Sequence, residues 1–317
     1  MAANSSTRNG SPGIELRDIR KRYGDVAALL GVTLDVRRGE IFGLIGPDGA
    51  GKTTAMRIAC GLVRPDDGGA SLMGYDTLRE SRKVKEHLGY MPQRFSLYPD
   101  LTVSENLRFF ADLFGLSRAE REERERALFS FNRLEPFRKR RAGALSGGMK
   151  QKLALSCTLI HRPEVLVLDE PTTGVDPVSR KEFWTILKSL AAEGLALWVS
   201  TPYMDEAALC DRVALMHRGK VIARGTPDDV ISRFPRKILE ARGRGAERVA
   251  ALLESNGPRG VRAHRFGDRI HVVYDSTEQE ESIRRILEPV DVSLRAVGPS
   301  MEDVFVSLVG GDGEGVS

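Results

Sequence analysis

Apolar and polar residues alternate in "IELRDIRKRY" and again in "LLGVTLDVRRG", then give way to the nearly unbroken apolar stretch of "EIFGLIG". Residues 14–45 therefore read as antiparallel strands leading into one buried strand. A glycine-rich turn follows, with a helical pattern from Lys52 to about Gly61, and short strand and turn signals dominate between 62 and 100. From Thr102 the period becomes helical. Thr102 and Glu105 form a capping box, "NLRFFADLFG" carries an apolar stripe, and "SRAEREERERALFSFN" repeats the design with alternating charges on a solvated face. The pattern continues as a helix over 146–160, the strand "VLVLD" (165–169), a helix over 178–193 and the strand "LALWVS". A short helix then opens, with Thr201 as its expected N-cap and Pro202 as its first residue. "VALMHRGKVIARG" reads as a hairpin turning at Arg218–Gly219, and Thr226, Pro227 and two acids begin another helix. Strands alternating with helices predict a parallel sheet in an α/β architecture.

Near Pro235 the character changes. Residues 236–309 read as a strand (Lys237–Ala241), a helix (Ala246–Asn256), a hairpin through "RFGDR", a helix (Ser282–Glu288), a strand (Val292–Val297) and a final helix (Ser300–Val309). That is enough for a small α+β domain with its own core. The expected organisation is a disordered leader over 1–13, a main domain over 14–234, an accessory domain over 235–309 and a disordered tail over 310–317. No internal repeat occurs at solenoid periods.

Composition narrows the class. The chain has 317 residues, 41% hydrophobic and 29% charged, which is ordinary for a globular protein. No apolar run approaches the roughly 20 residues of a membrane-spanning helix. The N-terminus lacks the basic start and apolar block of a secretory signal. Three cysteines, Cys60, Cys157 and Cys210, fall in expected helices without metal-ligand spacing and read as buried reduced thiols. The net charge of +4 admits a polyanionic partner or an anionic membrane surface, but the arginines are spread along the chain.

The chemistry concentrates at three places. Gly46-Pro47-Asp48-Gly49-Ala50-Gly51-Lys52-Thr53 fits G-x-x-x-x-G-K-[ST], follows a buried strand and opens a helix, the context that identifies a phosphate-binding loop. Its backbone N–H groups converge on phosphates and the helix start adds partial positive charge, while Lys52 serves the β/γ-phosphates and Thr53 a Mg²⁺ ion. Asp169 and Glu170 end the second buried strand, where one carboxylate holds Mg²⁺ and the next polarises an attacking water. In "LSGGMKQKLAL", Ser146 is placed to cap a helix whose Gly147 and Gly148 leave N–H groups open, a second anion-binding start that points to a nucleotide contact across a dimer.

Taken in order, these motifs resemble the ATP-binding subunits of ABC transporters over residues 14–234. The resemblance implies a P-loop NTPase fold of ABC type, with an antiparallel β subdomain, a parallel-sheet core and a helical subdomain. Tyr23 in "RKRYG" then matches the aromatic that stacks on adenine, and Gly46 to Thr54 match the Walker A loop. Gln93 in "YMPQ" matches the glutamine that contacts Mg²⁺ and senses the γ-phosphate. Ser146, Gly147, Gly148 and Gln151 match the signature segment that caps the ATP of a second subunit. Asp169 matches Walker B, Glu170 the catalytic base, and Asp176 in "TTGVD" the D-loop. The family's head-to-tail dimer closes on ATP and drives a membrane partner, whose coupling helix is expected at "RFSLYPDLTVSENL". The wording of "GYMPQRFSLYPDLTVSENL", "STPYMDEA" and "GPSMEDVFVSLVG" is similar to the drug-export branch associated with ABC-2-type permeases. This implies a peripheral subunit at the cytoplasmic face of the membrane, a homodimer or heterodimer, using ATP and Mg²⁺ without nucleic acid.

Two positions depart from the family pattern. Asp48 stands where asparagine is usual, bringing a carboxylate toward the triphosphate. Pro202 stands where the family places a histidine that contacts the γ-phosphate. Proline donates no hydrogen bond, so slow intrinsic hydrolysis is expected, and neither His161 nor His217 is placed as a substitute. A regulatory nucleotide-binding subunit and a non-transport ABC protein acting on ribosomes or nucleic acid are the alternatives. The long coiled coil or second module typical of the latter is missing from this sequence.

Overall fold

A computed structural model describes residues 12–94 and 97–310. Most of the expected leader, the tail from 311 and two residues of the expected coupling-helix segment, Phe95 and Ser96, lie outside the described residues. Ile14–Tyr23 pairs antiparallel with Val26–Val36 and with Asp67–Leu72, and Tyr75–Asp76 completes a four-stranded antiparallel sheet. In the second, six-stranded sheet Ile41–Ile45 lies between Arg212–His217 and Ala196–Thr201, with Val165–Asp169 and Leu88–Met91 further out, all parallel. Lys220–Gly225 adds an antiparallel edge next to Arg212–His217. Ile41–Ile45, Val165–Asp169 and Ala196–Thr201 are buried at every residue, which is why they read as unbroken apolar runs.

One core joins the two sheets. Phe42, Leu44, Val167 and Trp198 of the parallel sheet pack with Ile14, Leu16 and Leu34 of the antiparallel sheet and with Met56 of the helix Lys52–Ala59. A separate apolar cluster holds the helices Val103–Leu113, Arg118–Phe131 and Gly147–Leu159 together through Leu107, Phe129, Leu153 and Cys157. Thr102 and Ser117 each close a capping box at the start of their helices, with Glu105 and Glu120 as the reciprocal partners.

The structure corrects two local expectations in this part of the chain. The segment 62–100 contains a helix, Ser81–His87, which buries Val84 alone and so offers no apolar period to read. Pro202 is not the first residue of an α-helix. The strand runs through Thr201, the chain bends at Pro202, and a six-residue 3₁₀ helix begins at Met204. The Thr201 hydroxyl accepts from the Tyr203 N–H at 3.0 Å, stabilising the bend instead of capping a helix.

The chain divides into two compact units after Pro227, so the helix Pro227–Ser232 falls at the division, ahead of the expected boundary near Pro235. The second unit is a four-stranded antiparallel sheet in the order Arg262–Phe266, Arg269–Tyr274, Lys237–Arg242, Ser293–Val297. Helices Ala246–Asn256 and Thr277–Leu287 cover one face through Val249, Leu253, Ile283 and Leu287 against Leu239, Ala241 and Val272. The second of these starts ahead of the expected Ser282 because Ser276 and Gln279 form a capping box. His271 points away from that core and meets Asp303 of the last helix, Met301–Gly310, at 2.8 Å.

Candidate functional site

Parallel strands deliver loops to a common edge, and the candidate residues gather there. At the end of Ile41–Ile45 the glycine loop is crowded: a side chain at Gly46 would begin 2.2 Å from the Met216 carbonyl oxygen. Gly51 has φ +105°, and a Cβ there would stand 2.5 Å from the Ala28 carbonyl oxygen, so only glycine fits. Gly51 N-caps Lys52–Ala59 and supplies no side-chain bond, leaving the first amides of that helix without a side-chain cap. Lys52 is 4% exposed; its Nζ donates to the carbonyls of Gly46 at 2.7 Å and Pro47 at 3.1 Å and lies 3.4 Å from Glu170 Oε1. A buried ammonium ringed by loop carbonyls and a carboxylate is a cation positioned for an anion.

The second strand end supplies the carboxylates. Asp169 pairs in register with Ser200, whose hydroxyl donates to Asp169 Oδ1 at 2.6 Å. Thr53 Oγ1 donates to the same oxygen at 3.2 Å, while Asp169 Oδ2 is buried and has no hydrogen-bond partner. A buried orphan oxygen beside a hydroxyl is the donor set a hard cation takes, with one carboxylate and its remaining positions filled by water and phosphate. Mg²⁺ therefore fits these residues. Glu170 follows with φ +50°, a left-handed conformation costing about 1–2 kcal/mol for a side-chain-bearing residue. Its N–H donates to the Ser200 hydroxyl at 3.0 Å, and its Oε2 accepts from Gln93 Nε2 at 2.9 Å and from Thr173 Oγ1 at 3.3 Å. Lys52, Thr53, Gln93, Asp169 and Glu170 thus form one connected cluster that can bind a phosphate, ligate a cation and accept a proton.

Other predicted residues stand apart from this cluster. Tyr23 is 48% exposed with Lys21 Nζ 5.5 Å from its ring centre, an aromatic face open to a stacking partner. Ala50 is buried in the loop, Gly49 is exposed, and Thr54 is half-buried one residue beyond Thr53. Ser146 caps Gly147–Leu159, accepting from the Met149 N–H at 3.4 Å. Gly148 has a packing role, since a Cβ there would come within 2.4 Å of Ser179 Cβ. Gly147 is different: it is exposed, and its nearest neighbour would be the Gly174 carbonyl at 3.8 Å. Gln151 lines a cavity of about 330 Å³ together with Gln93, Arg94 and Lys150, so this chain brings the two glutamines to one cleft. Asp176 N-caps Pro177–Ala192 by accepting from the Ser179 N–H at 2.9 Å, which holds its carboxyl below the usual range. Asp48 is exposed at the loop tip. His161 stacks on Phe114 and meets the Leu88 carbonyl at 3.0 Å, and burial pushes its pKa down to about 4.

Ser200 and Thr173 are the site residues that sequence reasoning missed. Their signal was position alone: Ser200 is the next-to-last residue of a buried strand, and only the parallel register sets its hydroxyl beside Asp169.

The comparisons with known proteins agree with this geometry. Residues 29–173 match the family model described as ABC transporter. The chain is 48% identical over 228 residues to the probable multidrug ABC transporter ATP-binding protein YbhF of Escherichia coli (strain K12), covering 71% of this chain and 39% of that protein. It is 35% identical over 311 residues to Nod factor export ATP-binding protein I of Rhizobium etli, covering 98% of this chain and 97% of the relative. Among solved structures, the ATP-binding subunit of an ABC transporter is 34% identical with TM-score 0.63, over 70% of this chain and 92% of that one. A dimeric cassette in a post-hydrolysis state, bound to ADP and Pi, is 26% identical with TM-score 0.60, over 67% and 98%. The chain belongs to the ATP-binding proteins of ABC transporters, a family of ATPases.

Proposed function

We propose that the chain is the ATP-hydrolysing motor of an exporter whose membrane-spanning part, an ABC-2-type permease, is a separate protein. The observation that carries this reading is the connected cluster of Lys52, Thr53, Gln93, Asp169 and Glu170 at the ends of three parallel strands of one sheet. The loop amides and Lys52 bind the β- and γ-phosphates, and the exposed Tyr23 ring stacks on adenine. Thr53, Asp169 and Gln93 hold Mg²⁺, which neutralises phosphate charge. Glu170 orients water and takes its proton. Gly46, Gly49, Ala50, Gly51 and Thr54 shape the phosphate cradle. Ser146, Gly147, Gly148 and Gln151 serve the ATP of a second ATPase subunit, identical or homologous, and Asp176 lies at that junction.

Export is supported by the relatives named for multidrug and Nod factor export. No described helix is long and apolar enough to cross a membrane. In this reading the motor works beside a permease at the cytoplasmic face. Pro202 offers no donor to the γ-phosphate, and the isolated chain hydrolyses ATP slowly. The test is ATP binding with Mg²⁺ followed by turnover, alone and with the permease. Lys52→Ala is expected to lose binding. Equal affinity in that variant would refute the site, and failure to co-purify with any multi-span membrane protein would refute the exporter reading.

A further inference from the structure

Glu206 is 1% exposed and lies outside the proposed catalytic cluster. Its Oε1 accepts from Thr172 Oγ1 at 2.8 Å and from Trp184 Nε1 at 3.1 Å and stands 3.7 Å from Arg180 Nε, while its Oε2 is buried without a hydrogen-bond partner. A half-satisfied buried carboxylate is a costly choice for a residue that merely fills a core. Its partners place it at a junction of three segments: the 3₁₀ helix after Pro202, the loop from Glu170 to Asp176, and the helix Pro177–Ala192. Arg180 reinforces that junction by lying over the Tyr203 ring at 4.4 Å.

The loop needs such an anchor. Glu170 sits at φ +50°, and a conformation of that kind persists only where its surroundings over-determine it. Ser200 holds the near side by accepting the Glu170 N–H. Thr173 bonds back to the Glu170 carboxylate itself and so moves with it. Thr172, two residues on, is tied to Glu206, and this bond fixes the far side of the turn to the segment that follows Pro202.

We propose that Glu206 is a positioning residue for hydrolysis: through Thr172 it holds the turn that aims Glu170, linking the segment after Pro202 to the loop from Glu170 to Asp176 although Pro202 lacks a polar side chain. This rests on the reading of Glu170 as the base. In the full-length chain, Thr172→Val is expected to lower kcat about tenfold, the size of a lost bond to a charged acceptor, with KM for ATP held within about twofold. The amides of Glu170 and of residues 172–175 are expected to exchange hydrogen faster in that variant, Pro171 having none. Glu206→Gln keeps an acceptor oxygen and is expected to stay within about threefold of the parent, whereas Glu206→Ala falls with Thr172→Val. Trp184→Phe removes a donor from the same carboxylate without touching the loop, so it lowers Tm and largely spares kcat. Parental kcat and exchange in Thr172→Val would overturn the proposal. So would a kcat loss in Trp184→Phe equal to that in Thr172→Val, which would reduce Glu206 to core stability. If neither the parent nor Pro202→His turns over ATP, the reading of Glu170 fails, and exchange at 170–175 still decides the role of Glu206.

Discussion

Replacing Pro202 by histidine tests the central feature of the site. Thr201 is the register partner of Ile45, and its carbonyl accepts the Gly46 N–H at 3.3 Å. Residue 202 is therefore the first beyond a strand bonded directly to the phosphate loop, and it is half-buried. An imidazole there gains one charge-assisted hydrogen bond to the γ-phosphate as negative charge shifts during transfer. Bonds to charged groups are worth about 1.5–3 kcal/mol, and at about 1.4 kcal/mol per factor of ten this predicts a kcat increase of roughly 10- to 150-fold. The cost to folding is small. The bend is kept by the Thr201 hydroxyl and the Tyr203 N–H, so the loss is mainly the chain stiffness of proline, about 0.4–1 kcal/mol. At about 2–4 °C per kcal/mol for a chain of this size, Tm should drop by roughly 1–4 °C. The assay is phosphate release under saturating ATP and Mg²⁺, paired with thermal denaturation and ATP binding. An unchanged rate in a folded, ATP-binding Pro202→His protein refutes the argument. So does a parent chain that alone turns over near the typical enzyme value of about 10 s⁻¹.

Three further outcomes follow from the geometry. Gly148→Ala should destabilise the first unit by roughly 1–3 kcal/mol through its clash with Ser179, whereas Gly147→Ala should leave Tm unchanged and weaken only ATP-dependent dimerisation, read by light scattering. Asp48→Asn removes an exposed carboxylate from the loop tip and should tighten ATP binding on the order of threefold, an effect that shrinks with added salt; equal or weaker binding in a titration counts against it. In the second unit, Asp303 with help from Glu240 raises the His271 pKa against burial and Arg269, so its contribution to stability is complete below about pH 6.5 and fades as pH rises through the elevated folded value. Asp303 is held low by His271 and Ser300, and its contribution fades only in acid. Unfolding of the chain followed from pH 6 to 9 should show a slope that His271→Phe abolishes.

What was legible in the sequence was what is local. The loop from Gly46 to Thr53 is contiguous, so its motif is readable even though Gly46 and Gly51 are required by the distant Met216 and Ala28 carbonyls and Gly49 by its positive φ. Buried strands announce themselves because both faces are covered. The helices Ser81–His87 and Thr277–Leu287 were missed or begun late for a related reason: the first buries a single apolar residue, and the second opens with a polar turn whose signal is the Ser276–Gln279 box. The partners of Asp169 were not legible either. Thr53 stands 116 residues away in sequence and Ser200 stands 31, and only strand order and register bring them to one oxygen. Glu206 illustrates the same limit, since "MDEAAL" reads as the acidic start of a short helix until Thr172 and Trp184 are seen donating to it.

The segment from Ser200 to Glu206 explains how a proline is tolerated where chemistry is expected. Ser200 binds Asp169 and the Glu170 amide, the Thr201 carbonyl holds the phosphate loop, the Thr201 hydroxyl holds the bend, and Glu206 holds Thr172. Each of these restraints comes from a residue other than 202 and uses no N–H at that position. Proline, which lacks only that N–H and a polar side chain, leaves all of them in place. The restraints that hold this stretch are therefore independent of the side chain at 202, and under the proposed reading a γ-phosphate contact there is gained by a single substitution while the architecture persists.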